Sequence, residues 1–323
     1  HEFVICLNAA TGREIWRQTY DCKFDKRSWS GGPAVTPVVD DGRVYTLSFR
    51  GRLFCWNAQD GTKIWERDLK NDLHGIMPKW GWAGSPLVAG DKLIVEPGGA
   101  GTSRTALDKA TGKTLWQSGS DPVAYASPIL FSGPALRGVA FFNAAGLSAV
   151  NPADGTELFR QPWKTDFDVN AVIPVQREGK FFLGSAYGRG IALIDAFKGP
   201  VWQNEKMIIH FQSPVLSGDH LFFVEGQAEH PAVLTCLEWR TGKACWQHRV
   251  GFERAHPILA GDKLIVLTQD GELVLADASP SGCRERGRFQ ALPKTVFAPP
   301  AFSDRKLFIR NNSGTVACYD MAP

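Results

Sequence analysis

Two short stretches of this 323-residue chain concentrate groups that can do chemistry: His210 and Gln212 in IIHFQSP, and Glu253, Arg254 and His256 in GFERAHP. Two imidazoles beside a carboxylate can move protons, and a guanidinium offers a planar fork that matches a carboxylate through two parallel hydrogen bonds. These residues would support acid–base chemistry on a polysaccharide or recognition of a uronate. Solvating a channel or capping strand ends would use the same side chains. No catalytic motif accompanies them: H-E-x-x-H, G-x-S-x-G, a Walker loop and a complete G-x-G-x-x-G are all missing. The glycine-rich EPGGAGT at 96–102 has no helix pattern after it and reads as a hairpin tip. The seven cysteines never fall at C-x-x-C spacing, and no metal site is expected.

A second group lies on the two longest connections, 17–35 and 66–84. They carry Trp29, His74, Lys79, Trp80 and Trp82, an aromatic and basic mixture suited to a protein or glycan partner. Loops of this length would equally serve to fold over a funnel and plug it.

What must position these residues is a repeat. LNAATGREIW at 7–16 returns as NAQDGTKIW, DKATGKTLW, NPADGTELF, DAFKGPVW and EWRTGKACW, so an aromatic recurs at Trp16, Trp65, Trp116, Phe159, Trp202, Trp246 and, in a degenerate copy, Phe289. The intervals are 49, 51, 43, 43, 44 and 43 residues. A second marker keeps the same period, with prolines at Pro37, Pro86, Pro128, Pro174, Pro214, Pro257 and Pro300. Self-similarity at roughly 40–50 residues signals stacked supersecondary units.

Each unit holds four short apolar, β-branched segments bounded by Gly, Asp and Pro, and no segment carries a helical period of useful length. The expected fold is all-β: one domain over 1–323, a propeller of four-stranded antiparallel blades. The terminal strands leave the count between two solutions. Eight blades are expected, with a partial first blade at 1–19, six full blades over about 33–290 and closing strands at 298–320; seven blades with one redundant terminal strand is the alternative. In either ring the tryptophans and phenylalanines named above pack against the next blade. The prolines mark the innermost strands. Residues just before them should ring an axial funnel, which makes Trp82, Tyr125, Asn170, His210, Gln212, Glu253, Arg254 and His256 the ligand candidates, with no catalytic assignment.

The D-A-x-T-G-K-x-x-W words, with GWAGSPLVAGDKLIVEPGG, GELVLADASPSGCRERGRF and KLFIRNNSGTVACYDM, resemble the pyrroloquinoline quinone (PQQ)-like, BamB-like propeller repeat family, in particular secreted PQQ-like propellers of environmental bacteria. The resemblance covers essentially the whole chain. It implies either a non-catalytic scaffold of the bacterial envelope or a quinoprotein dehydrogenase using PQQ and calcium to oxidise alcohols or sugars. Quinoproteins of the best-known branch carry adjacent cysteines near the cofactor, and this chain has no such pair. The expectation is therefore a monomeric scaffold without a cofactor, periplasmic or secreted, binding a protein or glycan. PQQ and calcium belong to the alternative. The chain opens inside the repeat, so an export signal and upstream strands are expected to precede it.

Composition adds exclusions. Formal net charge is +3, from 36 basic and 33 acidic residues that interleave, so no nucleic-acid surface is implied. No run approaches the roughly 18 apolar residues of a membrane span.

Overall fold

The computed structural model describes residues 1–23, 34–133 and 136–321. Strands dominate, and the single helical piece among the described residues is a 3-10 turn at Asp166–Asp168. The chain divides into two compact units, His1–Asn170 and Ala171–Pro323.

The first unit opens with a two-stranded ribbon, Glu2–Leu7 and Glu14–Tyr20, followed by three four-stranded meanders. Blade 1 is Val38–Asp40, Arg43–Leu47, Arg52–Asn57 and Lys63–Asp68; blade 2 is Leu87–Ala89, Lys92–Val95, Arg104–Asp108 and Thr114–Ser118; blade 3 is Ile129–Ser132, Arg137–Asn143, Gly146–Val150 and Glu157–Pro162.

In the second unit, blade 4 is Val175–Arg177, Lys180–Ser185, Gly190–Asp195 and Gly199–Asn204; blade 5 is Val215–Ser217, His220–Glu225, Pro231–Glu238 and Ala244–Phe252. Blade 6 is Ala255–Ala260, Lys263–Thr268, Glu272–Asp277 and Glu285–Gln290, and blade 7 has three strands, Ala301–Ser303, Lys306–Arg310 and Val316–Asp320. Every pairing within these sheets is antiparallel between sequential strands.

The eight-bladed expectation is corrected by this inventory. Among the described residues seven sheets have three or four strands, and the chain's first two strands pair only with each other. The docking word with Trp16 repeats in that ribbon, but the first and second strands of a blade do not, and two strands alone bury little surface. Seven blades fit.

The second and third strands of blades 1–6 are largely buried on both faces, which is why they read as near-continuous apolar runs, whereas the third strand of blade 7 alternates between exposed and half-buried residues. In blade 2, Leu93 and Val95 pack with Tyr45, Leu47 and Leu53 of blade 1, while Ile94 packs with Val139, Phe141 and Val150 of blade 3. In the second unit Phe223 and Leu221 join the blade 4 side and Phe222 and Val224 the blade 6 side. The core is thus a series of interblade layers.

At the outer edge the last strands of five sheets each dock an indole on the next sheet. Trp16, Trp65, Trp116, Trp202 and Trp246 donate from Nε1 to a backbone carbonyl in the turn after the next sheet's third strand: Ala58, Lys109, Pro152, Trp239 and Ser279, at 2.8–3.1 Å. The first four rings also lie against the glycine of that turn. A Cβ added at Gly61, Gly112, Gly155 or Gly242 would stand 2.6–2.8 Å from the ring, and all four glycines have φ near +70°. The turn itself is held by its first residue: Asp108 Oδ1 accepts from the amides of Ala110 and Thr111, and Gly112 N donates to Asp108 O. Trp246 meets a degenerate turn in which Gly282 has nothing within 4 Å. Phe159 packs edge-on to Phe131 of its own blade, and Phe289 remains 48% exposed beside Tyr319.

The cysteines of the repeat stand opposite these rings: Cys6 pairs with Trp16, Cys55 with Trp65 and Cys236 with Trp246, where Ala106 and Ala149 face Trp116 and Phe159. A small residue thus faces four of the five docking tryptophans, and Leu193 faces the fifth, Trp202. Cys55 and Cys236 are buried, Cys6 is half-buried, and Cys318 in blade 7 is exposed; all seven cysteines are free.

Candidate functional site

Antiparallel strands alternate in direction, so the hairpin joining the second and third strands of a blade and the crossover to the next blade open at the same end. In the second unit that end gathers five of the sequence candidates: His210, Gln212, Glu253, Arg254 and His256. Only Glu253 and Arg254 separate the last strand of blade 5 from the first of blade 6, and Glu253 takes φ +60° to make the step. This tight crossover turns Arg254 inward, where it is 7% exposed.

The Arg254 guanidinium lies over the rings of Phe211 (5.3 Å) and Phe297 (5.0 Å), a desolvated cation–π arrangement. Its Nη1 donates to Gln269 Oε1 at 2.8 Å and stands 3.5 Å from Glu253, and Gln269 Nε2 in turn donates to Glu253 Oε2 at 2.7 Å. Burial pulls the Arg254 pKa below its ordinary value, and Glu253 opposes this.

Beside it, His210 Nε2 shares a 2.7 Å hydrogen bond with the hydroxyl of Tyr187, and the His210 ring stacks on Phe211 at 3.5 Å. The backbone of Phe297 lies against His256 and favours its protonated form, a smaller effect than burial. Burial, reinforced by the Arg254 charge, pushes both histidines down to about 4, so both are neutral at pH 7.

Four buried polar atoms in this cluster have no hydrogen-bond partner among the described residues: His210 Nδ1, Gln212 Nε2, Arg254 Nε and His256 Nε2. Their residues are all more than nine-tenths buried. Buried polar groups are almost always paired, and four orphans in one cluster mark a place built to be satisfied by something else.

The remaining candidates lie elsewhere, in the first unit. Trp82 is 2% exposed, donates to Pro97 O at 3.1 Å and fills the space over Gly51, where a Cβ would stand 2.6 Å from its ring. Asn170 is buried and donates through Nδ2 to the carbonyls of Asn143 and Trp163. Tyr125 belongs to a surface patch: its ring packs 5.8 Å from Trp80, and its hydroxyl accepts from Trp80 N. Lys79 Nζ sits 4.7 Å from the Trp80 ring and 5.8 Å from that of Phe167. Phe167, on the crossover after blade 3, is 64% exposed at φ +64°, and Ile76, on the connection that carries Lys79, is 66% exposed. His74, also exposed, takes φ +56°. Trp29 lies outside the described residues.

Sequence reasoning missed Tyr187, Gln269, Phe167 and Arg104. Arg104 is 1% exposed and is bonded to Asp121 and, at 2.8 Å, to Ser148; Asp121 also takes two bonds from Arg160. A signal was available, because Arg104 occupies the third-strand position held elsewhere by Leu53, Leu147, Ile191, Leu234 and Leu273. Nearby Glu96 has a buried, unpartnered Oε1, and burial pushes its carboxyl up to about 8. Among the described residues no three His, Cys, Asp or Glu side chains gather to hold a metal ion.

A sequence profile of the family described as "Outer membrane protein assembly factor BamB" matches residues 1–248 and 146–323. The chain belongs to the BamB family. Among BamB relatives, that of Shewanella oneidensis is 23% identical over 333 residues, covering 96% of this chain and 78% of its own length. The crystal structure of BamB from Moraxella catarrhalis superposes with a TM-score of 0.70 at 17% identity, over 95% of this chain and 86% of that one, which shows a shared fold. The family repeat extends to quinoproteins: quinohemoprotein alcohol dehydrogenase ADH IIB of Pseudomonas putida is 30% identical over 140 residues, 42% of this chain and 19% of that enzyme. This BamB-family chain therefore matches the dehydrogenase over a small part of its length and its BamB relatives over most of theirs.

Proposed function

We propose that this protein is a non-catalytic binding propeller of the bacterial envelope, periplasmic or secreted, that docks a protein partner on the end of the first unit carrying Lys79, Trp80 and Phe167. The observation that carries the reading is that patch. Phe167 stands 64% exposed with Ile76 at 66%, beside an ammonium held over two aromatic rings. Aromatic anchors flanked by a cation are the usual hot-spot chemistry of protein interfaces. The family supports the same reading, since BamB relatives are named outer membrane protein assembly factors and match 96% and 83% of the chain. No helix among the described residues is long and apolar enough to cross a membrane.

Affinity purification from an envelope fraction tests it. The intact protein should retain a discrete protein that a Trp80→Ala/Phe167→Ser variant of unchanged melting temperature loses. Equal recovery by both, or retention of a glycan alone, would overturn the proposal.

A further inference from the structure

The four unpartnered atoms of the His210–Arg254 cluster define the ligand that would satisfy them. Gln212 Oε1 accepts from Phe211 N at 3.0 Å, so the orphaned Gln212 Nε2 is a donor. Arg254 Nε–H is a donor by its nature. His256 is neutral, and in the tautomer that carries its proton on Nδ1 the unpartnered Nε2 is a bare acceptor. His210 Nδ1 donates or accepts according to which way the Tyr187 hydroxyl points. Two donors, one of them cationic, stand beside an acceptor. A carboxylate meets the donors, and an adjacent hydroxyl donates to the imidazole.

The geometry points to a binding site for a hydroxy-carboxylate, a uronic acid residue of a glycan or a small α-hydroxy acid, held by Arg254, Gln212 and His256 between the crossovers into blades 5 and 6. Glu253 and Gln269 keep the guanidinium in place, while Phe211 and Phe297 fix its plane. Glu253 neutralises part of the cation, which favours a ligand of low charge over a polyanion. The site is made entirely of second-unit residues and stands independently of the protein-docking patch on the first unit.

Calorimetric titration of the full chain with four probes tests the inference. D-Glucuronate and glycolate carry both groups, acetate only the carboxylate, and D-glucose only hydroxyls. Saturable binding by glucuronate or glycolate, with acetate and glucose weaker by about tenfold or more, is expected, and whichever hydroxy-carboxylate binds tighter identifies the source. Arg254→Gln should abolish this binding, and His256→Phe should bring glycolate down to the level of acetate. Should either variant fail to fold, the imidazole nitrogen resonances of the unaltered protein provide the readout: His256 Nε2 moves from the position of a bare acceptor to that of a hydrogen-bonded one on adding the ligand. No binding, equal binding of acetate and the hydroxy acids, or an unmoved His256 resonance at saturation would overturn the inference. Protein capture by the patch on the first unit is unaffected in any of these outcomes.

Discussion

The indole of Trp65 lies flat against Gly112, and a single added carbon at that glycine would stand 2.8 Å from the ring. The same ring donates to Lys109 O at 3.1 Å, three residues earlier in the same turn. One tryptophan thus fixes both the position and the composition of a turn in the following blade, which explains why the T-G word and the tryptophan recur together.

Gly112→Ala should destabilise the protein twice over. Alanine at φ +71° is strained, and its Cβ collides with a ring that cannot move without breaking its hydrogen bond. A loss of about 2–4 kcal/mol is expected, read as a lower urea midpoint. Gly282→Ala, with nothing within 4 Å at φ +149°, should carry the backbone part alone.

Acid should weaken the second unit before carboxylates titrate. His210 and His256 ordinarily titrate near 6.5 but are held at about 4 in the folded chain, so between those values the unfolded chain binds protons that the folded chain does not. Their contribution is intact above pH 6.5 and is lost as pH falls toward 4, by up to about 3 kcal/mol for each. Urea midpoints measured from pH 7.5 to 4.5 should fall, and His256→Gln should flatten that slope.

Glu96 acts in the opposite direction. Its folded-state value of about 8 lies above the ordinary 4.5, so stability present below 4.5 is lost as pH rises through 8. Glu96→Gln should leave stability at pH 5 little changed and raise it at pH 8 by about 1–3 kcal/mol, as seen in paired denaturation curves.

Incubation with PQQ and calcium, followed by gel filtration, should yield protein free of quinone absorbance and inactive in a dye-linked alcohol assay. Retained quinone with turnover would restore the dehydrogenase alternative, which draws its support from partial matches to quinoproteins.

The repeated part of this molecule was legible because repetition averages out exceptions. Trp16, Trp65, Trp116, Trp202 and Trp246, which share one period, each donate to a carbonyl in a turn of the following sheet, at equivalent positions for the first four and one residue later for Trp246. The ends were harder. Trp16 carries the docking word although its ribbon has only two strands, so a motif on the outermost strand could not count the inner ones. Offsets from the repeat proline located His210, Arg254 and His256 in one cluster but also selected Trp82, which is in the core. Loop length differs between crossovers, so equal offsets reach unequal depths: Trp82 lies on the long 66–84 connection, whereas Arg254 sits in a two-residue step. Tyr187 and Gln269 come from hairpins that carry no marker, and only coordinates place them beside a neighbouring blade's residues.

Under the proposed function the blades are scaffold and partners dock on the first-unit end bearing Lys79, Trp80 and Phe167. Site-specific photo-crosslinking in the envelope of intact cells tests it most directly, with benzoylphenylalanine placed at Phe167 and, as control, at the exposed Leu115 on an outer strand. The account predicts a discrete protein adduct from position 167 and none from 115; adducts of equal yield at both positions, or none from 167, would contradict it.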